Sequence, residues 1–190
     1  MLEGKNVNLR IVEKEDASLL QEWWNNPEFS GVYNPLDAQQ SKTDIEKQLE
    51  KLGPEKAWFL ILKKDGTKIG FLGMGTGPFG WQIGYVLVPG ERRKGYCTEA
   101  VQLGVDYLFM SKDTLRVQAG TFTNNIASQR VLEKAGFQRE GTIRKGMFAW
   151  GNWVDVYLYG LLREEWKQPR ILTKTEEGKQ NRIEKNKSAN

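Results

Sequence analysis

Apolar positions alternate in "NVNLRIVEKED", with Val7, Leu9 and Ile11 on one face, so a first strand is predicted there. Asp16 is predicted to cap a helix that carries Leu19, Leu20, Trp23 and Trp24. "NNPEFSGVYNP" then breaks the helical pattern with two prolines and a glycine. "SKTDIEKQLEKLG" predicts a second helix, with Ser41 and Asp44 as a capping pair, Ile45, Leu49 and Leu52 on one stripe, and Gly53 as the stop. "AWFLILKKDG" reads as a strand ending in an Asp65-Gly66 hairpin turn, and "KIGFLGMGT" returns antiparallel. "WQIGYVLV" is apolar on both faces, as a central strand would be. A helix from about Thr98 to Met110 follows, then the strand "LRVQAGTFT" and a short helix in "NIASQRVLEKAGF" closed by Gly136. Two strand-like runs, "REGTIRKGMFAW" and "NWVDVYLYGLL", joined at Gly151-Asn152, end the domain. Early hairpins and later strand–helix–strand units together predict a mixed α+β fold: one sheet with helices on both faces.

Composition narrows the chemistry. The 190 residues suit one domain, taken here as 1–166, and 39% hydrophobic with 27% charged residues is the balance of a soluble globular protein. No apolar run approaches the roughly 20 residues of a membrane span, and "MLEGKNVNLR" has no signal pattern, so a cytoplasmic protein with no membrane partner is expected. Cys97 is the sole cysteine, which excludes an intramolecular disulfide and a thiolate zinc cluster. The chain has no histidine, which excludes His-based triads, the common zinc-hydrolase sites and a His base, and no metal is expected. Acid–base work is left to Asp, Glu, Tyr, Lys, Ser or water. The net charge of +4 resides in the tail, where residues 167–190 hold seven bases against three acids. Poor in apolar residues, this tail is expected to be flexible, and it is either a weak contact for nucleic acid or ribosome or a solvated terminus.

Three stretches carry candidate motifs. "GTGPFG" matches G-x-G-x-x-G, but a dinucleotide turn must open a helix; Pro78 and the strand after it predict a hairpin loop. "PGERRKGYCTEAV" places Arg92, Arg93 and Lys94 between a turn and the start of a helix. Amides at a helix start lack intrahelical partners and the dipole is positive there, so phosphate is a natural occupant. Gly95 would let a ligand approach the backbone, whereas the plainer reading is a solvated turn before a capped helix. In "TNNIASQRVLEKAGF", Asn125 either caps the helix or holds an amide-bearing ligand, and Ser128 falls in the first turn.

The two latter motifs, in this order and spacing, resemble those of the GNAT superfamily of acetyl-CoA-dependent N-acetyltransferases. The first has the family form [R/Q]-x-x-G-x-[G/A], with Arg92, Gly95 and Cys97 at its positions and Cys97 as the departure. The resemblance spans Asn6 to about Trp166, and "IGYVLVP", "KGYCTEA" and "GNWVDVYLY" are similar to the branch that includes ribosomal-protein N-terminal acetyltransferases. It implies a GNAT-type, mostly antiparallel sheet of about seven strands. It implies acetyl-CoA as cosubstrate, with pyrophosphate on the backbone of Arg92, Arg93, Lys94, Gly95, Tyr96, Cys97 and Thr98. Pantetheine would pair with Tyr85, Val86, Leu87 and Val88 and meet Asn125, while Ser128 would protonate the leaving thiolate.

The acceptor implied is a primary amine that attacks the thioester directly. Relatives often carry Glu where this chain has Gln82, which cannot take a proton. Asp155 and Glu99 are the remaining carboxylate candidates: Asp155 is as open to a structural role as to a catalytic one, Glu99 reads rather as structural, and Tyr85 as a wall, a proton donor or packing. The aromatic loops "WWNNPEFSGVY" and "MFAWGNW" offer Trp24, Tyr33 and Trp150, beside Gln82, to an acceptor, or else pack as satellites of the core. A protein or peptide N-terminal α-amine is the favoured acceptor; a polyamine, amino acid or aminoglycoside, and a non-catalytic acyl-CoA-binding module, are the alternatives. Monomer and homodimer are both compatible with the chain.

Overall fold

The computed structural model describes residues 1–31, 39–167 and 169–172. Eight strands form one sheet: β1 (Leu2–Glu3), β2 (Val7–Ile11), β3 (Lys56–Lys63), β4 (Lys68–Gly77), β5 (Gly80–Leu87), β6 (Arg116–Phe122), β7 (Gln138–Ala149) and β8 (Asn152–Leu162). The spatial order is β1-β2-β3-β4-β5-β6-β8-β7, antiparallel throughout except between β5 and β6. The two-residue β1 is the strand beyond the seven expected. Among the described residues, five α-helices join them: α1 (Ala17–Trp24), α2 (Pro27–Ser30), α3 (Lys42–Glu50), α4 (Tyr96–Ser111) and α5 (Ile126–Ala135).

Alternation along the strands divides the core. Phe59 and Ile61 of β3 pack with Val7, Leu9, Leu72 and Ile83 under Leu103 and Leu108 of α4 and Leu132 of α5. Leu60 and Leu62 face the other way, onto Leu20 and Trp23 of α1, Phe29 of α2 and Ile45 of α3. A strand covered on both sides must be apolar on both, which explains the unbroken run in β3. At Gly104, a Cβ would lie 2.9 Å from Ile83 Cδ1, so glycine lets α4 sit close on the sheet.

Two local expectations are corrected. Asp16 does not cap α1 through its side chain. It ends a 3-10 turn, and its buried carboxylate accepts from Arg10 Nη2 (2.8 Å), Lys68 Nζ (2.8 Å) and Glu13 N (3.0 Å). Pro27 starts a one-turn helix where a break was predicted, because proline suits a first helical position and Asn26 accepts from Glu28 N (2.9 Å). The Asp65-Gly66 turn forms, with Gly66 at φ 85°, and "GTGPFG" is the β4–β5 hairpin.

Asp16 makes a pH-dependent contribution. Burial raises its pKa, but the bonds from Arg10, Lys68 and the Glu13 amide outweigh that and bring it from 3.8 to about 2. A depressed carboxylate stabilises the fold above its unfolded pKa, and that stability is lost as pH falls toward the folded value. Asp16→Asn is therefore expected to cost about 2 kcal/mol at neutral pH and progressively less from about pH 4 to pH 2, measured by urea unfolding across that range.

At the outer edge, every residue of β7 except Ala149 is exposed. Its pairing with β8 shifts register between Arg139 and Gly141 and again between Ile143 and Met147. After Trp166, the chain turns back along α4. The buried Asp106 carboxylate accepts from Trp166 Nε1 (2.8 Å) and from the amides of Arg170 and Ile171, and Leu172 N donates to Glu3 O (2.7 Å). Residues 173–190 of the expected tail lie outside the described residues.

Candidate active site

The sheet opens at one seam. β5 and β6 pair only at Trp81–Val117 and Gln82–Gln118, then diverge. Beyond Gln82, the β5 backbone from Tyr85 to Val88 therefore has no β6 partner on that side, which leaves a main-chain edge inside a wedge. An extended chain bearing amides can add to such an edge.

The turn after β5 lies at the mouth of this wedge. Arg93 and Gly95 both have positive φ, 64° and 86°, and α4 begins at Tyr96 rather than Thr98, with Gly95 as its N-cap. Glu99 N to Gly95 O is the first bond into the helix, so the amides of Tyr96, Cys97 and Thr98 have no intrahelical acceptor. A Cβ on Gly95 would meet nothing within 4 Å, so the turn is open to an incoming group. Beside it, a cavity of about 570 Å³ is lined by Gly95, Thr98 and Gln102, by the cations Lys5, Lys134 and Arg170, and by the carboxylate of Glu99. Sequence reasoning missed Lys5 and Arg170, which fold brings here from the β1–β2 turn and the C-terminal segment.

The three consecutive cations differ in their partners. Lys94 Nζ pairs with Glu91 (3.0 Å), whereas Arg93 makes no side-chain bond among the described residues. Arg92 points back, donating to Leu87 O (3.0 Å) and Phe29 O (2.8 Å). Burial lifts the Cys97 thiol to about 12, so it is a small neutral group at neutral pH and not a nucleophile. Glu99 accepts from Asn6 N (2.7 Å) and Asn6 Nδ2 (2.8 Å) and ties the β1–β2 turn to α4.

Across the wedge, Asn125 Oδ1 caps α5 by accepting from Ser128 N (3.1 Å). Tyr85 Oη lies 2.9 Å from Ser128 Oγ and 3.3 Å from Ser128 O, so β5 and the first turn of α5 meet through a pair of hydroxyls. Burial raises the Tyr85 pKa well above its ordinary value, with Cys97 adding and the Ser128 bond opposing, so the phenol stays protonated. This pair joins residues 43 apart in sequence, and no local pattern signals it.

Four other candidates have neighbours of their own. The Asp155 carboxylate accepts from Lys145 N (2.7 Å) in the β7–β8 hairpin. Gln82 is exposed beside Gly77, whose added Cβ would meet Gln82 Nε2. Trp24 packs edge-on against Trp58 (5.3 Å) and Phe71 (5.5 Å) on the face that holds α1. Trp150, at φ 50°, forms the β7–β8 turn with Gly151, and Tyr33 lies outside the described residues. Gln118 is buried, and its Nε2 has no partner among the described residues.

An eight-stranded sheet split beside an open turn with unpartnered amides defines a class, and comparison agrees with it. Residues 6–138 match the family described as "Acetyltransferase (GNAT) domain", and the chain belongs to that family of acetyltransferases. It is 32% identical over 172 residues to the uncharacterized N-acetyltransferase p20 of Bacillus licheniformis, covering 85% of this chain and 96% of that one. The ribosomal-protein-S5-alanine acetyltransferase from Vibrio fischeri superposes with a TM-score of 0.78 at 22% identity, over 87% of this chain and 98% of that one. Spermidine N-acetyltransferase from Vibrio cholerae, in complex with CoA and spermine, gives 0.75 at 18% identity, over 85% and 98%. At these identities the two structures speak to the fold. The family uses acetyl-CoA as its acetyl donor.

Proposed function

We propose that this acetyltransferase acetylates a protein or peptide N-terminal α-amine. When bound, acetyl-CoA supplies the acetyl group as a thioester. The open turn at Gly95, the amides before Glu99 and the neighbouring cations fit its phosphates, and the free β5 edge fits its amide-bearing arm. The amine nitrogen forms a bond to the acetyl carbon as the carbon–sulfur bond breaks. Ser128 gives its hydroxyl proton to the departing sulfur and is resupplied through Tyr85, while the amine's surplus proton leaves to water.

The single observation that carries the acceptor reading is the want of a free carboxylate base among the candidates: position 82 is Gln, and Asp155 is engaged by Lys145 N. An α-amine has a pKa of about 7.7–8.0 and is partly neutral without help; a lysine-type amine, near 10.4, asks for about 3.4 kcal/mol more. Thiol release from acetyl-CoA is expected to be fastest with N-terminal peptides in a panel that also holds polyamines, amino acids and aminoglycosides. A polyamine or aminoglycoside turned over faster than every peptide would reverse the assignment, and no turnover at all would leave a binding module.

A further inference from the structure

Arg92 begins the cofactor turn, yet its side chain serves another part of the molecule. Its Nε donates to Leu87 O (3.0 Å) at the end of β5, and Nη2 donates to Phe29 O (2.8 Å), with a longer contact to Glu28 O (3.4 Å). Glu28 and Phe29 belong to α2, a single turn whose last carbonyls have no donors within the helix. A guanidinium at that end satisfies them and suits the negative end of the helix. So short a helix does not hold itself. It is fixed by the Asn26 cap at its start, by Phe29 stacked on Trp23 (4.8 Å, 17°) and by Arg92 at its end.

We propose that Arg92 is a positioning residue that couples the cofactor turn to α2, so that ordering the turn also orders segment 28–31. This rests on the cofactor reading above. The same residue holds both parts: its backbone lies in the turn, and its planar fork bridges β5 and α2. Lysine would keep the charge but not the fork, since one ammonium is a point donor. Coupling of this kind is reciprocal, so an ordered α2 also favours the turn that receives the phosphates.

Hydrogen exchange of the full chain, with and without saturating coenzyme A, tests the coupling. In the wild type, coenzyme A should slow exchange in the turn and also at residues 28–31, the latter by about fivefold or more. In R92M the turn should still be protected, but exchange at 28–31 should be fast and indifferent to coenzyme A; R92K should recover part of the response. Protection of the wild-type turn with no change at 28–31 would overturn the coupling and leave the cofactor reading standing. Loss of turn protection in R92M would make Arg92 a cofactor ligand instead and also overturn it. No protection anywhere in the wild type would remove both readings, and this arm needs no variant to fold.

Discussion

Gly95→Asp is expected to abolish coenzyme A binding in a chain that still folds. Two effects act at this position and can be separated. Any side chain at φ 86° is strained by about 1–2 kcal/mol, but nothing lies within 4 Å of the new Cβ, so no packing is lost. Gly95→Ala measures that strain alone. The carboxylate of Asp adds a negative charge where the cofactor's phosphates would sit, and two like charges about 4 Å apart at an effective dielectric near 20 repel by about 4 kcal/mol, roughly a thousandfold. Calorimetric titration should therefore show a small loss for Ala and no measurable binding for Asp. Coenzyme A at about 100 times its dissociation constant should also stabilise the wild type by about 2.7 kcal/mol and leave Asp unchanged. Equal losses for Ala and Asp would place the effect in backbone strain and remove the phosphate from this turn.

The second large effect is on turnover. Ser128→Ala should lower the acetyl-transfer rate by about a hundredfold, the lower end of general acid–base contributions, while the acetyl-CoA KM stays near the wild-type value. Tyr85→Phe removes the hydroxyl 2.9 Å from Ser128 Oγ and should lower the rate by a smaller factor. If the two hydroxyls act in series, as proposed, the double variant should be no slower than Ser128→Ala alone. Multiplied losses in the double variant would mean that Tyr85 acts independently of Ser128. A near-normal rate in Ser128→Ala would reduce Ser128 to a residue of the α5 first turn.

What the chain discloses depends on how local the cause is. The strands, α3 and the Asp65-Gly66 turn follow from apolar spacing and capping residues that lie next to one another. The proposed cofactor turn is equally local: glycine, a helix start and cations within a few residues. Asp16 was legible as an acid before a helix but not as the partner of Lys68, which lies 52 residues away. Arg92 is a long side chain that reaches whatever the fold brings near, and α2 is too short for periodicity to reveal. The Tyr85–Ser128 pair likewise needs the wedge between β5 and β6 to exist before the residues can meet.

The broken register of β7 bears on how this protein behaves in a crowded solution. An outermost strand offers unpaired amides and carbonyls to any other chain, and here it also displays Ile143, Met147 and Phe148. Between the first and second of these, pairing with β8 is interrupted, Lys145 takes φ 50°, and its amide is held by Asp155. A kinked border carrying Arg144 and Lys145 cannot lie flush against a straight intruding strand. By holding this kink, Asp155 helps shape a border that a foreign strand pairs with poorly.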